Sequence, residues 1–147
     1  MAKLLVVDDE PAIRLLMQAI LSQEGHDVDT AADGIEALAS VQAELPDVIL
    51  LDLAMPNMDG WRFLEELRSR DLRSRVRVII VSAMSDRESL ERGQAEGVRE
   101  HLAKPFDADA VVRSVEAALQ EAPEEILARR AHPEDLARLI DKLQAMD

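Results

Sequence analysis

An α/β fold built on a parallel sheet is predicted by three features of this chain of 147 residues. Short, continuous apolar runs recur along it: Leu4-Leu5-Val6-Val7, Val48-Ile49-Leu50-Leu51 and Val78-Ile79-Ile80-Val81. Such runs suit strands covered on both faces, the usual condition of a parallel sheet. Between them lie stretches with helical spacing, so strand and helix alternate, and alternation of that kind places helices on both sides of the sheet. Each run also ends on residues able to do chemistry, Asp8-Asp9, Asp52 and Ser82, and Lys104-Pro105 follows a further segment, Val98 to Ala103. Open parallel sheets bind ligands outside the carboxyl ends of their strands. Three carboxylates, a hydroxyl and an ammonium are therefore expected at one edge.

Five strand-then-helix units follow in order. Lys3–Val7 leads to a helix over about residues 11–24, with Ile13, Leu16, Met17, Ile20 and Leu21 at helical spacing. Pro11 suits a first helical position, Asp9 or Glu10 can serve the free N–H groups, and Gly25 stops the helix. Asp27–Ala31 alternates apolar and polar residues, as an edge strand with one wet face should. Asp33-Gly34 marks a turn into a helix that Pro46 ends. Val48–Leu51 is the third strand, followed by the loop Ala54-Met55-Pro56-Asn57-Met58-Asp59-Gly60 and a helix to about residue 70. Residues 76–81 form the fourth strand, residues 86–96 its helix, and residues 98–103 the fifth strand. A last helix begins near Asp107 and carries Val111, Val112, Val115, Ala118 and Leu119 on one face.

The strand pattern stops after Glu121. Residues 1–121 are read as one domain and 122–147 as a short C-terminal helical extension, with Pro123 and Pro133 at helix starts. In the second stretch Leu136, Leu139, Ile140, Leu143 and Met146 fall on one stripe. That stripe has two readings, a helix packed back on its own domain or an interface for a second copy or another partner.

Composition narrows the function classes. With no cysteine, thiolate metal sites, disulfide scaffolds and thiol catalysis are excluded. The formal charge of −13 argues against direct nucleic-acid binding, which needs clustered positive charge. No apolar stretch approaches the roughly 18 residues of a membrane span, and the run after Lys3 is too short for a signal peptide. No membrane role and a cytoplasmic location are expected. One basic run, Arg68, Arg70, Arg73, Arg75 and Arg77, reads as a solvated loop balancing local acids, or else as a contact for phosphate or an acidic partner.

Physics alone gives the acidic edge a task. Three gathered carboxylates repel one another, and a divalent cation relieves that conflict. Oxygen-only ligands favour Mg²⁺ or Mn²⁺ over zinc. As an isolated pair Asp8-Asp9 would read as a helix cap; the matching Asp52 argues against that. Asp52 also suits a nucleophile attacking phosphorus to give an acyl phosphate. Lys104 and Ser82 can then neutralise and hydrogen-bond the phosphoryl oxygens.

Asp8-Asp9, the segment Leu50-Leu51-Asp52-Leu53-Ala54-Met55-Pro56-Asn57-Met58-Asp59-Gly60, Ser82-Ala83 and Lys104-Pro105-Phe106 together resemble the receiver domain of two-component response regulators, over about residues 2–121. The resemblance implies a doubly wound, flavodoxin-like (βα)5 fold with strand order 2-1-3-4-5. It implies that Asp52 is the phosphoacceptor, receiving a phosphoryl group from a phosphohistidine of a sensor kinase. Asp8 and Asp9 then hold Mg²⁺ with Asp52 and the backbone carbonyl of Ala54, while Ser82 and Lys104 bind the phosphoryl group. A cis Lys104-Pro105 bond is implied as well.

The switch implied by the resemblance moves Ser82 toward the phosphoryl group and turns inward the ring three residues before Lys104. That ring is His101 here, read either as the switch residue or as a plain surface histidine. Ala54 and Met84 replace polar residues found in many relatives. Trp61 reads as partly buried at a helix start. The chain is expected to act by binding and not as a conventional enzyme, alone, with a sensor histidine kinase or histidine phosphotransfer protein upstream and a target protein downstream. The surface around the fourth helix, fifth strand and fifth helix is the expected output face, extended by the tail, and either that face or the C-terminal helix is the candidate homodimer surface. Two alternatives stand beside this: a relay intermediate that passes its phosphoryl group to a histidine phosphotransfer protein, and a phosphatase using Asp52. Phosphatases of that kind want an acid two residues on, which Ala54 is not. No Gly-rich phosphate loop follows the first strand, which argues against nucleotide binding.

Overall fold

In the computed structural model, which describes residues 2–84 and 86–122, the apolar runs form strands as their continuity predicts. β1 (Lys3–Val7), β2 (Asp27–Ala31), β3 (Val48–Leu51), β4 (Arg77–Ser82) and β5 (Glu100–Ala103) alternate with α1 (Pro11–Gln23), α2 (Gly34–Ala43), α3 (Gly60–Ser69), α4 (Arg87–Ala95) and α5 (Ala108–Leu119). All four strand pairings are parallel, and the order is β2-β1-β3-β4-β5. The expected flavodoxin-like topology is borne out, with the alternating segment β2 at one edge.

The continuous runs divide residue by residue between two cores. Leu5, Val7, Ile49, Leu51, Val78 and Ile80 pack with Ala37, Leu38 and Val41 of α2 and Trp61, Phe63, Leu64 and Leu67 of α3. Their neighbours Leu4, Val6, Val48, Leu50, Ile79 and Val81 pack with Met17 and Leu21 of α1 and Val111, Val115 and Ala118 of α5. Side chains alternate across a strand, so a run apolar at every position needs a helix layer on each face. Burying one such side chain contributes about 1.5–3 kcal/mol, against 0–1 for an exposed ion pair, so these layers hold the fold together.

Several boundaries differ from the sequence reading. β5 begins at Glu100 because Val98 is used otherwise: its N–H bonds the Gly93 carbonyl and closes the end of α4, with Gly97 at φ 72°. Glycine tolerates that left-handed conformation at a helix end. β4 runs one residue later than expected, so Ser82 is its last residue, and α2 ends at Ala43. Glu10 is the N-cap residue of α1, but neither its side chain nor that of Asp9 serves the free N–H groups; instead Asp8 Oδ1 accepts the Glu10 N–H at 2.9 Å.

The basic run is not simply solvated. Arg73 is 1% exposed and donates to the carbonyls of Glu96 at 2.9 Å and Val76 at 3.4 Å. Arg68 pairs with Glu96, and Arg77 donates to the Glu121 carbonyl. His26 lies near Glu116 of α5. The expected extension, its apolar stripe and His132 lie outside the described residues.

Candidate functional site

Strand order reverses between β1 and β3, since the chain leaves β1 for the β2 edge and returns on its other side. The crevice beyond their carboxyl ends is where such sheets place ligands. Asp8 extends β1, its N–H donating to the Ala31 carbonyl at 3.1 Å, and Asp52 extends β3, donating to the Val7 carbonyl at 2.9 Å. Both are nearly closed off from solvent, 2% and 5% exposed. Lys104 follows β5, with its N–H on the Ser82 carbonyl at 3.0 Å. The peptide bond to Pro105 is cis, as expected.

From that anchor the long lysine side chain crosses the end of β4. Its Nζ lies 2.7 Å from Asp8 Oδ2, 3.2 Å from Asp52 Oδ2 and 3.6 Å from Glu10 Oε1. One ammonium therefore serves two buried carboxylates. Burial raises the Asp52 carboxyl above its ordinary pKa; the charge of Asp8 adds to that, and Lys104 only partly opposes it. For Lys104 burial disfavours the charge, yet its contacts with Asp8 and Asp52 prevail and hold it above the ordinary lysine value.

The carboxylate oxygens of Asp8, Asp9 and Glu10 approach within 4.8 Å of one another, with Asp9 and Glu10 exposed. A donor set of carboxylate oxygens without imidazole or thiolate fits a hard divalent cation. Ala54 is exposed two residues past Asp52, its N–H donating to Asp52 Oδ1 at 3.4 Å.

Ser82 and His101 meet through a third residue. Ser82 is fully buried and its Oγ accepts the Met84 N–H at 3.1 Å. The Met84 carbonyl lies 2.8 Å from His101 Nε2. A carbonyl only accepts, so Nε2 carries the hydrogen of that bond. His101 is half-buried.

Some site residues were not found in the sequence. Glu10 adds a third carboxylate to the reach of Lys104. Arg14, one turn into α1, donates from Nη1 to the Asp8 carbonyl at 2.7 Å. Its spacing of four residues from Glu10 was the available signal, because such residues share a helix face. Asn57 Nδ2 donates to Asp33 Oδ2 at 2.8 Å, across two loops. Trp61 is buried, and the Arg92 guanidinium lies 4.4 Å from its ring centre.

Comparison with known proteins agrees with this fold. Residues 4–116 match the profile of the response regulator receiver domain. The chain is 38% identical over 109 residues to sporulation initiation phosphotransferase F of Bacillus subtilis, covering 74% of this chain and 86% of that protein. It is 34% identical over 125 residues to the phosphate regulon transcriptional regulatory protein PhoB of Rhizobium meliloti, covering 85% of this chain but only 55% of that protein. Its fold superposes on the chemotaxis protein CheY4 of Vibrio cholerae with a TM-score of 0.76 at 34% identity, covering 81% of this chain and 99% of that one.

Proposed function

The chain belongs to the response regulator receiver domain family of two-component signalling, and from that premise we propose that Asp52 takes a phosphoryl group from a phosphohistidine of a sensor kinase. The observation that carries this reading is the pair of buried carboxylates, Asp8 and Asp52, that share the single ammonium of Lys104. In the transfer, an Asp52 carboxylate oxygen bonds to phosphorus as the phosphorus–nitrogen bond breaks, and the electron pair returns to the imidazole. Asp8 and Asp9 would hold Mg²⁺, joined by Asp52 and the carbonyl of Ala54. When bound, Mg²⁺ neutralises charge on the transferring oxygens. Lys104 does the same from the protein side, and its raised pKa keeps it charged.

The output is binding, through a shape change that starts at Ser82. Accepting the Met84 N–H uses a lone pair and leaves the hydroxyl hydrogen available for a phosphoryl oxygen. Drawing Ser82 toward that oxygen strains its bond to Met84, and the Met84 carbonyl holds His101. The route from phosphate to ring thus runs through one residue, and a two-state element of this kind is what a charge switch needs. We place this action in the cytoplasm. No helix among the described residues is long and apolar enough to cross a membrane.

A phosphorelay role has a specific observation in its favour, the likeness to sporulation initiation phosphotransferase F. Return of phosphate from Asp52 to a histidine phosphotransfer protein would distinguish it from a terminal regulator. The main reading is tested by intact mass after treatment with acetyl phosphate and Mg²⁺. Wild type should gain one phosphoryl group and Asp52→Asn none. Equal incorporation by the variant would remove Asp52 from its role.

A further inference from the structure

The loop between Asp52 and α3 has to present the Ala54 backbone, and it is anchored at two places. At its base the Gly60 N–H donates to the Leu53 carbonyl at 2.9 Å. Its outer limb is tied sideways, to the turn that precedes α2. There the Gly34 N–H donates to the Met58 carbonyl at 3.1 Å, and Asn57 Nδ2 donates to Asp33 Oδ2 at 2.8 Å. The two loops touch closely: a Cβ on Gly34 would lie 2.6 Å from Met58 Cγ and 2.8 Å from the Met58 carbonyl oxygen.

Asp33 is suited to act as an abutment. It is 8% exposed, and its other oxygen, Oδ1, accepts the Glu36 N–H at 2.9 Å, which seats the carboxylate on the first turn of α2. The bond it offers Asn57 is charge-assisted, hence stronger than one between neutral groups. Asn57 in turn holds φ at 66°, a left-handed conformation that Asn adopts more readily than most residues. Backbone and side chain at position 57 thus serve one loop conformation, three residues beyond Ala54.

We propose that Asp33 and Asn57 are positioning residues, and that their hydrogen bond holds the loop of residues 53–59 in the conformation that binds the divalent cation. This rests on the reading of Asp52, Ala54, Asp8 and Asp9 as a cation and phosphoryl site. Neither residue is among those that would hold the ion or the phosphoryl group; the pair sets affinity through the loop it braces.

Two variants remove the bond from opposite ends while sparing the local backbone. Asn57→Gly keeps the left-handed conformation accessible and loses the amide. Asp33→Ser keeps a good helix cap and loses the reach to Asn57. Mg²⁺ binding to the full, unphosphorylated chain is measured by titration calorimetry. Each variant should bind Mg²⁺ about tenfold more weakly, as expected for loss of a partner that orients a ligand. The double variant should be no weaker than the poorer single one, because both remove the same bond.

Leu38→Ala, which destabilises α2 away from this bond, should keep wild-type Mg²⁺ affinity. Wild-type affinity in both single variants, additive losses in the double one, or an equal loss in Leu38→Ala would each overturn the proposal. Failure of the underlying reading has a different signature. Asp52→Asn would then still take up phosphate from acetyl phosphate, whatever the affinities of the bracing variants.

Discussion

Lys3 and Lys104 each face three carboxylates from opposite ends of the sheet, and they do so with different consequences. Lys3 Nζ lies 2.8 Å from Asp29, 3.2 Å from Asp27 and 3.4 Å from Glu44, whose side chains are 48%, 60% and 66% exposed. Lys104 meets Asp8 and Asp52 at similar distances, but those side chains are 3% and 6% exposed. Around Lys3, water screens the carboxylates from one another, and the hydrogen bond to Asp29 leads in holding its ammonium above the ordinary value. Around Lys104, the carboxylates remain in conflict, which burial of Asp52 makes plain. Burial, not composition, separates a solvated ion cluster from one whose carboxylates remain in conflict.

The comparison is tested most severely by Lys104→Met in metal-free protein. Two buried carboxylates would lose their shared counter-charge, and breaking a buried pair costs about 3–5 kcal/mol, so urea unfolding should show a loss near 3 kcal/mol. An unchanged midpoint would mean that the carboxylates do not depend on Lys104. Mg²⁺ sharpens the point. Its addition should raise the melting temperature of Lys104→Met by more than that of wild type, because a cation binding the native state stabilises it by mass action.

Lys3→Met should cost less than about 1 kcal/mol, in line with exposed ion pairs, and the loss should vanish in high salt. A larger, salt-independent loss would erase the contrast between the two lysines.

The smallest effect concerns Asp33, a buried carboxylate whose donors among the described residues are neutral. The Glu36 N–H first, then the Asn57 amide, hold its carboxyl below the ordinary value. A depressed pKa stabilises the fold above the unfolded value, about 3.9, and that stability is lost as pH falls through the folded value. Asp33→Ser should therefore show a shallower acid limb in stability against pH than wild type. Parallel acid limbs would remove Asp33 from the acid response.

Much of this was legible in the residues. The apolar runs of β1, β3 and β4 required helices on both faces, and the polar residues closing each run marked the active edge. Asp8, Asp52 and Lys104 were legible as one site because strand ends in a parallel sheet converge. The burial of Arg73 is not legible, since nothing local tells a charged side chain that carbonyls of Val76 and Glu96 will fold over it. Val98 was assigned to β5 because periodicity cannot register a helix end that captures the residue's N–H. The Asp33–Asn57 bond spans 24 residues and joins two loops. No periodicity links residues so far apart.

The sequence by itself determined an α/β chain with an acidic edge, because apolar runs and helix spacing are local properties repeated along it, and the order of its motifs carried the resemblance to receiver domains. Only the tertiary structure decided how charge is distributed at that edge. Which carboxylates share an ammonium, which loop braces another, and whether Ser82 reaches His101 through Met84 are set by distances between strands and loops far apart in the chain. Electrostatic and hydrogen-bond energies depend steeply on those distances and on burial, and neither is written into the order of the residues.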